Sequence, residues 1–319
     1  MRTQQGYFFR EHILKPQYSK PPLDIEQQAD LLLSRGLKGI QKIDLQAKLQ
    51  SINYYRLRGY TYPYQDNSKV DTPFLKNNNW LFIWNDYILD SRLRSFIFES
   101  IGHIEIAFRT QLELVMSVKY NSRWYADNRF FHDKNRHSKD MQELETDWNR
   151  NSEDFKNHYV SKYDDSILPP AWIIFETSTF GIVSKFYSNI DSLYSEKAEI
   201  AKYFGFSKAA VKVLISWLHH LNTVRNICAH HARLFSKVII TRPIFPKHIK
   251  GNWVSAWQKD DRVYCSICII KKLLDICAPE FDFYSRLNFI FDNIRDDQLK
   301  IMGFPKNWMQ EPLFLNSSS

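Results

Sequence analysis

From Trp80 to about Lys119 the apolar residues Ile83, Trp84, Tyr87, Ile88, Phe96, Ile97, Ile101, Ile104, Phe108, Leu112 and Val115 return at intervals of three, four and five. That spacing keeps one face of a 3.6-residue helix apolar, so it predicts one long helix or two in tandem, with Gly102 as the place for a bend. Upstream, Asp24 and Gln27 have capping-box spacing, Ile25, Ala29, Leu32 and Leu33 follow with helical periodicity, and Gly36 closes the element. A second short helix is expected from Asp44, with Leu45, Leu49 and Ile52 on one face. It delivers the chain into NYYRLRGYTYPY, and one short hairpin is expected near residues 60–75. Residues 1–23 end in KPPL and read as an arm.

Residues 119–168 are polar and basic. Pro169 and Pro170 then open a helix through AWIIFETSTFGIVSKFYSNI, and a shorter helix ends near Gly205. Ser207 is placed to cap a helix over residues 211–235. After the loop TRPIFPKHIKGNW, the segment DRVYCSICIIKKLLDIC again has helical spacing. The reading is all-α, in two parts: an N-terminal helical region over residues 1–75 and a helical body over 76–319 that carries the polar insertion at about 119–168.

Composition sharpens this. Nine glycines in 319 residues is about 3%, against a usual level near 7%, which disfavours folds built on tight turns and glycine loops. The 43 Lys and Arg exceed the 35 Asp and Glu, and the net charge of +8 suits a polyanionic partner, nucleic acid before membrane. No 18-residue apolar run is present and the N-terminus lacks the apolar stretch of a signal peptide, so the expected location is the cytoplasm. Cys228, Cys265, Cys268 and Cys277 lie in apolar helical segments and read as reduced core thiols. Cys265 and Cys268 have zinc-like spacing, but no second pair or histidine follows at finger distance. No phosphate-binding loop, dinucleotide fingerprint or nucleophile elbow is present, so kinase, dehydrogenase and hydrolase chemistries have no foothold.

The chemistry concentrates in HHLNTVRNICAHHARLF, residues 219–235. On a helix, His219, Asn222, Asn226, His230 and Arg233 fall within about 80° of arc, and Leu214, Trp217, Leu218, Leu221, Val224 and Cys228 form the buried side. Arg225 is the misfit, set among the buried positions, where a guanidinium needs a carboxylate, a route to solvent along its stem, or a second chain. Glu105 and Glu176 are both possible partners. His219 and His230 are about 16 Å apart along the axis and cannot share one ion, which disfavours a metal site. A buried structural histidine pair is the plain alternative, and phosphodiester cleavage is the third: histidine moves protons near neutral pH, arginine holds the charge that grows on phosphate, and RNA supplies its own 2′-OH. One histidine per chain is thin for both acid and base, and two copies across a dimer would remedy that.

The spacing from Arg225 to His230, R-N-x-x-x-H, resembles the R-x(4–6)-H motif of HEPN-domain ribonucleases. SINYYRLRGYTYPY, HIEIAFRTQL, PPAWIIFETSTFGIVSKFY, RNICAHHARLF and MGFPKNWMQEPLF occur in this order. Together they resemble the Abi-like family of AbiD/AbiF abortive-infection proteins over nearly the whole chain. The resemblance implies an all-helical HEPN-like bundle with an N-terminal helical extension and a metal-independent RNA endonuclease site requiring no cofactor. It makes Arg225 and His230 catalytic and Asn226 an orienting residue, with the site at a homodimer interface. Glu105 would support Arg225, and His231 is the alternative to His230. It also implies phage defence by growth arrest and, in some AbiF-like systems, restraint by a small noncoding RNA. A noncatalytic RNA-binding or sensor protein on the same scaffold is the alternative.

Two other stretches fit RNA. Tyr55, Arg56 and Arg58 interleave aromatic and cationic groups, which can stack on bases and meet phosphates, although tyrosines here also suit helix packing. The basic run from Lys119 to Lys139 offers Arg123, Arg129 and Arg136 to guide a strand, or simply forms a solvated face.

Overall fold

The computed structural model describes residues 19–163, 168–257 and 259–315. The arm expected over residues 1–23 lies largely outside them. The chain divides into two units, Met1–Trp84 and Asn85–Ser319.

In the first unit, helix α1 (Ile25–Ser34) starts at the capping box: the Asp24 carboxylate accepts from the Gln27 backbone N–H and the Gln27 side chain accepts from that of Asp24. Gly36 ends the turn at φ +93°, a left-handed conformation that a side chain would resist. Helix α2 (Lys42–Ser51) packs on α1 through buried Ala29, Leu32, Leu45 and Leu49, while Lys42 reaches both Glu26 and Asp30 of α1. Helix α3 (Tyr54–Thr61) follows, capped by the Asn53 side chain. The expected hairpin is reduced to one bridge, Gln65 with Phe74. Helix α4 (Trp80–Lys119) is a single helix of 40 residues, and the boundary between the units falls inside it.

In the second unit α4 is followed by α5 (Lys134–Arg150), α6 (Asp154–Lys162), α7 (Ala171–Ile174), α8 (Phe180–Asn189) and α9 (Glu196–Tyr203). Then come α10 (Val211–Ala229), α11 (Val263–Cys277), α12 (Phe283–Ile290) and α13 (Asp296–Met302). No strand occurs among the described residues. The architecture is all-α, and no described helix is long and apolar enough to cross a membrane.

Two local expectations need correction. The segment after Pro170 is not one helix; a 3-10 turn at Phe175–Thr177 interrupts it, and the Thr179 side chain caps a fresh start at Phe180. Ser207 gives no side-chain cap. The polar stretch at 119–168 contains α5 and α6, and it buries Trp124, Tyr125, Phe130, Phe131, Leu144 and Trp148. Its polarity comes from the solvent side of α5, whose buried stripe is narrow.

Helix α11 forms the centre. Every residue from Val263 to Leu274 is buried, which calls for a helix apolar on all sides. Its two buried lysines are both satisfied: Lys271 pairs with Asp275, and Lys272 donates to the Lys250 and Asn252 carbonyls at 2.6 and 3.1 Å. Cys228, Cys265, Cys268 and Cys277 are free thiols, and burial pushes each above its ordinary value.

His220 joins α10 to this core. It is fully buried, with Nδ1 2.5 Å from the Thr241 carbonyl and Nε2 2.8 Å from the Ser266 hydroxyl, so a neutral ring with the proton on Nδ1 satisfies both contacts. Burial pushes its pKa down to about 4. An unfolded histidine titrates near 6.5, so the unfolded chain takes up the proton first as pH falls. This contribution to stability is complete above about pH 6.5 and is lost as pH drops toward 4. Between pH 7.5 and 5 it amounts to about 2 kcal/mol. Urea unfolding of wild type and His220→Gln at both pH values should show the wild type losing that much more; equal slopes would refute the assignment.

Candidate functional site

The second half of α10 builds the site. Leu214, Trp217, Leu218, Leu221, Val224 and Cys228 are all buried, as the helical spacing requires. His219, Asn226 and His230 are exposed and Asn222 is half-buried. The helix ends at Ala229 and does not continue to residue 235. The Ala232 N–H donates to the Ile227 carbonyl and the His231 N–H to that of Cys228, at 2.9 and 3.0 Å, the pairing that closes a helix when the next residue turns left-handed. That residue is His231, at φ +53°. His230 is therefore the C-cap residue and His231 the reversal, so their side chains leave the helix in different directions, and Arg233 lies beyond the stripe expected to contain it.

Arg225 resolves as a half-buried side chain, 31% exposed. Its Nε lies 3.8 Å from Glu105 Oε2, an ion contact too long for a hydrogen bond, and its Cζ sits 5.3 Å from the centre of the Phe98 ring. Of the two possible carboxylates, Glu105 takes Arg225. It also accepts from Arg109 Nη2 at 2.9 Å, while Arg109 Nη1 is 3.3 Å from Glu176 and Nη2 also donates to the Ser178 carbonyl at 3.1 Å. One carboxylate thus serves two arginines, and a chain of alternating charge runs from Arg225 through Glu105 and Arg109 to Glu176. Burial raises Glu105, and the two arginines oppose that rise. Two turns further along α4, Glu113 is raised to about 7 by burial first and Glu176 second, and one of its oxygens is buried without a hydrogen-bond partner among the described residues.

Arg225 and Asn226 open onto a cleft of about 640 Å³ formed by α5, the start of α8 and the end of α10. Helices α5 and α10 both pack on α8, which fixes the cleft's width. Gly181 permits the approach: a Cβ there would stand 3.2 Å from Asn222 Nδ2. Lys139, Arg150 and Lys185 bring positive charge to the walls and Glu143 and Asp147 oppose it, leaving an excess of positive groups once Arg225 is included. Lys185 pairs with Glu143 at 2.5 Å, and Asp147 accepts from the Thr179 N–H at 3.3 Å.

The other sequence-derived positions separate. Arg123 is engaged internally, donating to the Leu168 carbonyl and the Tyr159 hydroxyl. Arg129 is exposed and forked onto Asp127, and Arg136 donates to Ser188 Oγ at 2.6 Å. Only Lys139 of that basic run lines the cleft. Tyr55, Arg56 and Arg58 sit on α3 in the first unit, with Tyr55 79% exposed and both arginines half-buried. Tyr60 of the same helix is buried, as helix packing anticipates. No group of three metal-ligating side chains occurs among the described residues.

Asp90 was not legible as a site residue. Fully buried on α4, it pairs with Arg94 and accepts from the backbone N–H groups of Leu234 and Phe235 at 2.9 and 2.7 Å. It pins the chain directly after the two histidines. The available signal was an Asp and an Arg at i, i+4 amid the apolar face of the long helix.

Residues 47–236, spanning α3, α4, the cleft and the Arg225–His230 segment, match the family model described as Abi-like protein. No curated protein and no solved structure matches the chain.

Proposed function

The chain belongs to the Abi-like family, and on that footing we propose that it is a metal-independent RNA endonuclease of abortive infection, acting in the cytoplasm as a homodimer. The observation that carries this reading is Arg225, held by Glu105 at the wall of a positively biased cleft, with His230 exposed at the end of the same helix. An RNA strand enters between α5 and α10. His230 takes the proton from a ribose 2′-OH, the 2′-oxygen forms a bond to phosphorus, and the bond to the 5′-oxygen breaks. The partner's His230 gives the proton to the departing oxygen. Arg225 meets the negative charge that grows on the non-bridging oxygens, and Asn226 orients the pair. The products are a 2′,3′-cyclic phosphate and a 5′-hydroxyl.

A partner chain is supported by Phe98, which carries Arg225 yet is 41% exposed, and by exposed Ile106, Leu114 and Val118 further along α4. A small noncoding RNA seated in the same cleft would silence the enzyme until it is released.

The purified protein, incubated with single-stranded RNA in excess EDTA, is expected to produce 5′-hydroxyl ends. Cleavage abolished by EDTA, or cleavage that leaves 5′-phosphates, would overturn the mechanism. His231→Ala separates the neighbouring histidines: it should keep cleavage that His230→Ala loses.

A further inference from the structure

Beyond the Arg225 cleft, we infer that a groove at the opposite end of α10 is a second binding site, for a single-stranded segment of RNA. The groove has a volume of about 700 Å³ and is lined by the turn before α10 and the loop from Phe245 to Val254. Lys202, Lys247, His248 and Lys250 face it, and no Asp or Glu does among the described residues. All four are exposed. The Arg225 cleft mixes both signs; this one does not. A concave surface with lysines and no opposing carboxylate attracts a polyanion.

Its floor is aromatic. Phe245 and Trp253 line it and are half-buried. Trp253 stacks on Trp217 with ring centres 5.1 Å apart and planes at 26°, and Trp257 meets Phe245 edge-on at 5.1 Å. Trp217 is fixed in turn by its indole N–H, which donates to the Ile244 carbonyl at 3.0 Å. The rings are therefore held in place before a ligand arrives. The loop is held as well, since buried Lys272 of α11 grips the carbonyls of Lys250 and Asn252, on either side of Gly251 at φ +78°. Preset aromatic faces beside a row of cations fit unpaired bases joined by phosphates, and they fit an acidic peptide less well because it has no π-faces to stack.

From Val211, where α10 begins beside the groove, to Arg225 at the cleft is 14 residues, about 21 Å along the helix. A strand bound at both places is thus longer than the few nucleotides that cleavage itself needs. The choice of RNA over DNA rests on the nuclease reading above; the groove itself does not.

The test uses full-length protein carrying His230→Ala, so that RNA survives, with and without Lys202→Ala, Lys247→Ala and Lys250→Ala together. Binding of a fluorescent 20-nucleotide single-stranded RNA is measured from 50 to 300 mM salt, and thermal melting confirms that the variants fold. The triple substitution is expected to weaken binding about tenfold and to lower the salt slope by about 2, as three lost phosphate contacts require. An abasic strand of equal length should bind several-fold more weakly than normal RNA. Unchanged affinity in the folded triple variant, or polyglutamate competing as well as RNA, would overturn the inference. Because binding is read without cleavage, a protein that binds here but never cuts refutes the nuclease and leaves the groove standing. In the active background, a higher KM with kcat retained puts the cleaved strand in the groove; an unchanged KM with weakened binding puts a separate RNA there.

Discussion

Arg225→Ala should lower RNA cleavage by about a thousandfold while leaving the fold intact. Removing one preorganised charge from a transition state of this kind costs about a hundred- to a thousandfold, and Arg225 is the cation at the cleft with the half-buried Glu105 carboxylate behind it. Melting should shift little, because the side chain is a third exposed and makes no hydrogen bond through Nε. Arg225→Lys should lose most of the activity too, since an ammonium cannot fork onto two phosphate oxygens. In a bacterial host the wild type should be toxic and raise new 5′-hydroxyl ends in total RNA, and both effects should vanish in Arg225→Ala and in His230→Ala. Toxicity that survives both substitutions would instead favour a protein that binds RNA and signals without cutting.

Asp90→Ala is expected to be the most damaging single change to the fold. It removes the acceptor of two buried backbone N–H groups and the carboxylate of the buried ion pair with Arg94. Breaking a buried pair in this way costs about 3–5 kcal/mol, and the stranded N–H groups add to it. Urea unfolding should show at least that loss, with melting lowered by about 10 °C. Asp90→Asn keeps one acceptor oxygen and should fall between the two. A loss below about 1 kcal/mol in Asp90→Ala would show that the Leu234–Phe235 segment is held by something else.

The sequence exposes periodicity well and exposes little that depends on chain elements meeting. The helical character of Trp80–Lys119, the capping box at Asp24 and the buried face of α10 follow from spacing alone, because a helix repeats the same geometry wherever it packs; that α4 is one helix and not two in tandem did not. Arg225 stood out for the same reason: it broke a pattern. What it paired with was not legible. Glu105 and Glu176 were equal on sequence, and the choice was made by Arg109, which takes Glu176 and shares Glu105. The end of α10 was misjudged because its stop signal is His231, a residue that enters the left-handed region far less often than glycine. The arginines of the basic run were counted as free charge, whereas Arg123 and Arg136 are spent on protein acceptors. The cleft's cations come from three helices, and no single stretch of sequence displays them together.

Helix α4 carries both Asp90, which pins the chain after the histidines, and Glu105, which holds the arginine before them. The two are 15 residues apart, about 22 Å along one rigid rod. One residue inserted between them would swing one group by about 100° relative to the other, so that stretch tolerates a change of side chain far better than a change of length.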